Sequence, residues 1–286
     1  MSVAGRLLCT LAVIFLLGAC STLRFSYNNA ETALRYMAWD YFDADSEQAD
    51  ALQEQFVRLR SWHRTSELPG YVLTLNSAKD RFEKGVNQAD VEWAITTIRN
   101  HSRLLAGRAA RDAAPVLLTL RPEQIVALEK KFSKENRRYV EQWIEGDAKS
   151  RARRRIDRVV DQFEEWTGNL SRGQKALVER FVNSNPDEFE RRIGERQRWQ
   201  SEVLALLKRQ KNLPGLSASL IRLFSEPDSG RSREYLIFMS RWESDLGGLI
   251  VELNATLDAD QRSHVLSRLE RYRGDFRALS GSLAAN

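Results

Sequence analysis

The chain has 286 residues, with 44 Lys and Arg against 39 Asp and Glu and 42% apolar residues. That apolar share can bury a core, which excludes a disordered chain. With only 15 Gly and 6 Pro, the turn residues that an all-β sandwich needs every ~8–12 positions are missing. The two cysteines, Cys9 and Cys20, both lie at the N-terminus, so no disulfide framework holds the body.

The first nineteen residues read as a processing segment. Arg6 supplies a positive start, and Leu7 to Leu17 is an almost unbroken apolar run of 11 residues, against the ~20 that a membrane span requires. Leu17-Gly18-Ala19-Cys20 then resembles the lipobox of bacterial lipoproteins. The resemblance implies cleavage before Cys20, a diacylglycerol thioether on its sulfur and an acylated amine. Residues 1–19 would be a signal peptide, and 20–286 a helical periplasmic domain. Two or more acyl chains hold a protein stably on a bilayer, whereas one does so marginally. Ser21 stands where an Asp would mark inner-membrane retention in that class, so the rule points to the periplasmic face of the outer membrane. The processed chain would carry no free thiol, which excludes thiol catalysis and cysteine metal sites.

The rest is predicted to be helical from end to end, as one domain. Apolar residues recur at spacings of three and four, as in Ile125, Leu128, Phe132, Tyr139 and Trp143, or Tyr235, Met239, Trp242, Leu246, Leu249 and Leu253. Such stripes give each helix one face to bury. The six prolines are expected to mark helix ends. The spans predicted in chain order are 27–42, 46–64, 69–84, 88–113, 122–145, 148–168, 172–183, 186–211, 215–225, 231–256 and 259–280. Some are expected to fuse, and 122–168 could be one bent helix with Gly146 as its weak point. The fold class is all-α, a multi-helix bundle of about ten amphipathic helices, which their lengths allow to be elongated.

One pattern recurs. Asp45 to Gln48, Arg121 to Gln124, Ser171 to Gln174 and Asp258 to Gln261 each place Gln three residues after an expected N-cap, at intervals of 76, 50 and 87 residues. Capping chemistry accounts for every residue involved, because the Gln side chain can reach back to the cap's own N–H. The alternative is kinship with the Leu-Thr-x-x-Gln signature of small periplasmic chaperones of the Spy type.

Two clusters could carry chemistry. In Trp62-His63-Arg64 and Glu67-Leu68-Pro69-Gly70-Tyr71, Glu67 stands four residues from His63 and three from Arg64. A helix would let its carboxylate hold both cations, and a His oriented by a carboxylate is one element of a catalytic dyad. No companion motif accompanies it, and His101 and His264 lack acidic partners at ligand spacing. A corner held by ion pairs and Trp packing is the plainer reading. The second cluster is Arg151, Arg153, Arg154, Arg155 and Arg158. Asp147, Asp157 and Asp161 lie at helical pair spacing from it and compensate much of its charge. It reads as a solvated face, or as a surface for anionic lipid or polysaccharide. Export removes nucleic acid as a partner. In 186–211, Arg196, Gln197 and Gln200 interrupt the apolar stripe, and the expectation is a partly exposed helix.

Cys20, Tyr27-Asn28-Asn29, Trp62-His63-Arg64 and Glu67-Leu68-Pro69-x-Tyr71 together resemble the DUF6279 family of uncharacterised proteobacterial lipoproteins. The resemblance implies a helical envelope lipoprotein whose match spans essentially the whole mature chain. It supplies no catalytic residue, cofactor or metal. The resulting expectation is a lipid-anchored protein with a non-enzymatic binding or scaffold role toward envelope proteins. A chaperone-like role, holding apolar client segments, and an envelope hydrolase using His63 and Glu67 are the alternatives.

Overall fold

The computed structural model describes residues 22–209 and 212–281, so the signal segment and Cys20 lie outside the described residues. All regular structure among those residues is helical. The α-helices are α1 (Thr22–Asn28), α2 (Ala30–Phe42), α3 (Ser46–Trp62), α4 (Leu68–Lys84), α5 (Gln88–Leu118) and α6 (Pro122–Trp143). They continue with α7 (Ala148–Thr167), α8 (Arg172–Ser184), α9 (Glu188–Arg209), α10 (Leu213–Ser225), α11 (Arg233–Thr256) and α12 (Ala259–Gly281).

Local chemistry sets most of these ends. Asp45, Asn87, Asp147, Ser171, Asn212 and Ser232 each accept a backbone N–H of the helix they precede, satisfying donors that have no partner within the helix. Gly85, Gly146 and Gly168 close α4, α6 and α7 with φ of 94°, 98° and 76°, angles that side-chain-bearing residues rarely adopt. Gly146 therefore ends a helix, and 122–168 is two helices.

One proline departs from the expected punctuation, and Pro69, which opens α4 as expected, does so without a break. Pro115 lies inside α5, which runs on to Leu118, because Ala114 and Val116 on either side of it are buried in the core. Pro69 does not break the chain between α3 and α4 either. A π turn over His63–Glu67 joins them, with Leu68 N–H reaching the His63 carbonyl. Proline has no N–H for the ladder and its ring crowds the carbonyl four residues back; a wider turn accommodates both. Leu68, fully buried, fixes the turn in place.

The same set of helix pairings occurs twice. In the first half α2 packs on α3, α3 on α5 and α2 on α6; in the second α7 packs on α8, α8 on α11 and α7 on α12. The halves then exchange a helix. α4 of the first lies against α12 of the second, α9 of the second lies against α6 of the first, and α5 meets α11 between them. α10 has no counterpart and packs along α5. Gly107 permits that approach, since a Cβ there would collide with the Ser225 hydroxyl.

Two apolar cores result. One gathers Ala110 and Ala114 of α5, Leu128 of α6, Leu206 of α9 and Leu216 and Leu220 of α10. The other gathers Val160 of α7, Val178, Phe181 and Val182 of α8, and Leu249 and Leu253 of α11. Burying one such leucine is worth about 1.5–3 kcal/mol.

The recurrent glutamines sit at the equivalent joints. Three make full reciprocal capping boxes with Asp45, Ser171 and Asp258. Gln124 accepts the Arg121 N–H but gains no return bond, since an arginine side chain has nothing to accept with. Their amide nitrogens do more. Gln48 and Gln124 exchange hydrogen bonds of 3.1 and 2.6 Å, and Gln174 and Gln261 exchange bonds of 2.8 and 2.9 Å. Gln48 and Gln174 also donate to the carbonyls of Thr119 and Thr256, while Gln124 and Gln261 donate to those of Asp43 and Asn169. Each pair thus staples the start of two helices to the ends of the two that precede them.

Candidate functional site

The His63 corner forms, with other partners than the sequence spacing suggests. The π turn carries His63 between two phenols: Tyr27 of α1 lies 2.8 Å from Nδ1 and Tyr71 of α4 lies 3.3 Å from Nε2. A neutral imidazole serves this pair by donating from one nitrogen and accepting at the other. Burial holds the imidazole below its ordinary pKa, with the Glu67 charge opposing in part. Burial likewise raises the Tyr27 and Tyr71 hydroxyls.

Glu67 is buried and does not grip His63 or Arg64. Its carboxylate faces His101 of α5, 3.3 Å away, whose other nitrogen meets the Thr74 hydroxyl at 3.3 Å. Arg64 instead donates to the Asn28 side chain and lies over the Tyr27 ring. Trp62 packs under the Arg108 guanidinium. Tyr71 adds edge contacts to His101 and Phe276, with centroids 4.7 and 5.5 Å apart. The cluster therefore ties α1, α4, α5 and α12 to the π turn, and the His63–Glu67 contact that spacing suggests is replaced by a Glu67–His101 pair. Tyr27 and His101 could not be assigned from spacing, because they lie 36 and 34 residues from their partners.

The basic segment is largely turned inward. Arg155 is buried at 5% exposure; it pairs with Glu190 at 3.0 Å, donates to the carbonyls of Pro186 and Trp143 and covers the Phe189 ring. Arg154 donates to the carbonyls of Gln142 and Glu145, and Arg151 to that of Gly146, completing the C-terminal end of α6. Arg158 lies over the Trp143 ring. Arg153 is paired loosely with Asp157 at 3.8 Å. Only Arg153 and Arg158 of the five are exposed, so the anion-binding face expected over 151–158 is mostly a set of helix clamps.

Two apolar grooves occupy equivalent places in the two halves. The first, about 480 Å³, lies between α2, α6, α9 and α10 and is lined by Leu34, Met37, Tyr41, Phe132, Trp199 and Phe224. Arg196 and Gln200 border it, so the polar residues that interrupt the α9 stripe face a groove; Gln200 is buried and accepts from Asn136. The helix is partly exposed, but of the three interrupting residues Gln197 alone is exposed. At the rim Glu135 accepts from Tyr41 at 2.6 Å and Arg196 at 2.8 Å. The bond to that carboxylate, with burial, pushes the Tyr41 hydroxyl up to about 12.

The second groove, about 580 Å³, lies between α4, α7, α11 and α12, lined by Phe82, Phe163, Trp166, Leu246, Ile250 and Val265 among others. Both volumes fall in the range of small-ligand sites, ~300–1,000 Å³. Trp242 and Asn254 also line the second groove. The buried Trp242 Nε1 and the buried Asn254 Oδ1 have no hydrogen-bond partner among the described residues. A buried polar atom left unpaired is costly, and such atoms are rare in native proteins.

A family model for DUF6279, a family of unknown function, matches residues 40–236. The chain belongs to the DUF6279 family. The match takes in the π turn, the Glu67–His101 pair and the first groove's α6 and α9 walls. It begins after Tyr27-Asn28-Asn29 and ends within α11, short of the full mature span that the resemblance implied. No curated protein and no solved structure matches this DUF6279 chain. Among its described residues, no three metal-ligating side chains gather and no helix is long and apolar enough to cross a membrane.

Proposed function

We propose that this DUF6279 protein is a lipid-anchored lipoprotein on the periplasmic face of the outer membrane, with a non-enzymatic role in holding apolar polypeptide segments. The lipobox order Leu17-Gly18-Ala19-Cys20 supports the anchor. The observation that carries the binding role is the second groove itself, about 580 Å³ and lined by Phe163, Leu246 and Ile250 among other apolar side chains. Apolar side chains of a polypeptide segment would meet these residues there.

The test is an aggregation assay with the mature protein and a chemically unfolded client. The protein should delay aggregation, and Ile250→Arg, which sets a charge in the groove wall, should abolish the delay while Arg153→Ala leaves it intact. Failure of the native protein to delay aggregation overturns the holding role.

A further inference from the structure

α1 and α2 carry an apolar face that no other described residue covers. Phe25 is 67% exposed, Tyr36 63%, Trp39 60% and Met37 50%. They belong to α1 and α2, which follow one another through the single residue Asn29. Tyr36 and Trp39 stand three apart on one side of α2, with ring centroids 6.1 Å apart. Among exposed residues from 25 to 39, Arg35 carries the only charge, and Asp50 pairs with it at 2.5 Å. Exposed aromatic groups gathered on one stretch mark an interaction surface, where single scattered ones would not.

Position and charge select the occupant. Cys20 precedes Thr22, the first residue of α1, by two positions, so a lipid on its sulfur would tether this stretch through fewer residues than any later helix. Arginines flank α1 on both sides. Arg268 and Arg271 of α12 form a cleft with its Leu23 and Ser26, which Glu165 and Asp275 also line, and Arg60 and Arg64 donate to the backbone and side chain of its Asn28. Glu165 pairs with Arg268 and Glu31 with Arg60, whereas Arg271 is exposed with no ion pair among the described residues. Tyr and Trp favour the headgroup level of a bilayer, and Arg favours anionic headgroups.

We propose that the exposed face of α1 and α2, built on Phe25, Tyr36 and Trp39, docks in the interfacial region of an anionic phospholipid bilayer. It fixes the orientation of the body on the membrane. This rests on the lipid anchor proposed above. Met37, exposed beside Tyr36, lines the first groove, so docking of α2 would bring that groove close to the membrane surface.

The processed chain has no thiol besides Cys20, which the acyl group blocks, so Tyr36→Cys and Arg153→Cys each give one site for a spin label. The full lipidated protein is reconstituted into vesicles of phosphatidylethanolamine and phosphatidylglycerol. Relaxation by oxygen, which concentrates in lipid, is compared with relaxation by a water-soluble nickel chelate. At position 36 oxygen should be severalfold the more effective; at 153 the order should reverse. Equal access of nickel to both positions, in protein that stays on the vesicles, overturns docking and leaves the anchor standing. Protection at position 36 that persists in detergent, with sedimentation as a dimer, also overturns it and assigns the face to a second copy. Protein that leaves the vesicles altogether overturns anchor and docking together.

Discussion

The side-chain amides of Gln174 and Gln261 exchange two hydrogen bonds, although 87 residues separate them. Each also caps its own helix through the amide oxygen. Truncating either one leaves the other's buried amide and a helix-end carbonyl unpaired, at about 1–3 kcal/mol. Gln174→Ala and Gln261→Ala should each lower the unfolding free energy from urea titration by that much, with the midpoint falling in proportion. Together they should fall short of the sum by about 0.5–3 kcal/mol, as coupled groups do. Gln124→Ala and Gln261→Ala, which touch different pairs, should add. Additivity within a pair would mean that the two amides do not depend on each other.

Arg155 offers a contrast with its neighbour Arg153. Arg155→Ala removes a charged donor from two carbonyls and from Glu190, and should cost about 1.5–3 kcal/mol. The ~3–5 kcal/mol of a wholly buried pair is not reached, because Glu190 is 39% exposed and regains water. Arg153, 84% exposed, should be replaceable by Ala within about 0.5 kcal/mol. Thermal unfolding of the two variants side by side decides this.

His63 should make the fold acid-sensitive. Burial places its folded pKa below the unfolded value. Between the two values the unfolded chain binds more protons, so stability is full above the ordinary imidazole pKa and falls as pH drops through that window. Acidification from about pH 7.5 to about 5.5 should lower Tm more in the native protein than in His63→Gln. A larger drop in His63→Gln would reverse the sign and contradict the neutral, phenol-bonded imidazole.

Tyr41 should resist ionisation. Its hydroxyl donates to the Glu135 carboxylate, which sets its pKa at about 12. In an alkaline absorbance titration one tyrosine equivalent should ionise at about that pH, and Tyr41→Phe should remove that late step.

What the sequence discloses follows the range of the forces involved. Caps act within three residues, so the starts of α3, α5, α7 and α8 can be placed from Asp45, Asn87, Asp147 and Ser171. Pro115 misleads because tertiary burial of Ala114 and Val116 outweighs a local preference, whereas Pro69 marks the start of α4. Glu67 has His63 and Arg64 within a turn, yet its partner is His101 on another helix. Spacing ranks local pairs and is blind to distant ones. Tyr36 and Trp39 share α2 with Ala38 and Tyr41, and either side of that helix could have faced inward. Packing against α3 and α6 buries Ala38 and leaves the other side exposed.

The mass of the N-terminal peptide from protein isolated out of native membranes tests the whole account most directly. The expected species begins at Cys20 and carries a diacylglyceryl group on the sulfur, and Cys20→Ala should release the protein from the membrane. A chain that retains residues 1–19 and an unmodified Cys20 thiol would contradict the anchor, and with it the placement of the grooves and the aromatic face at a membrane.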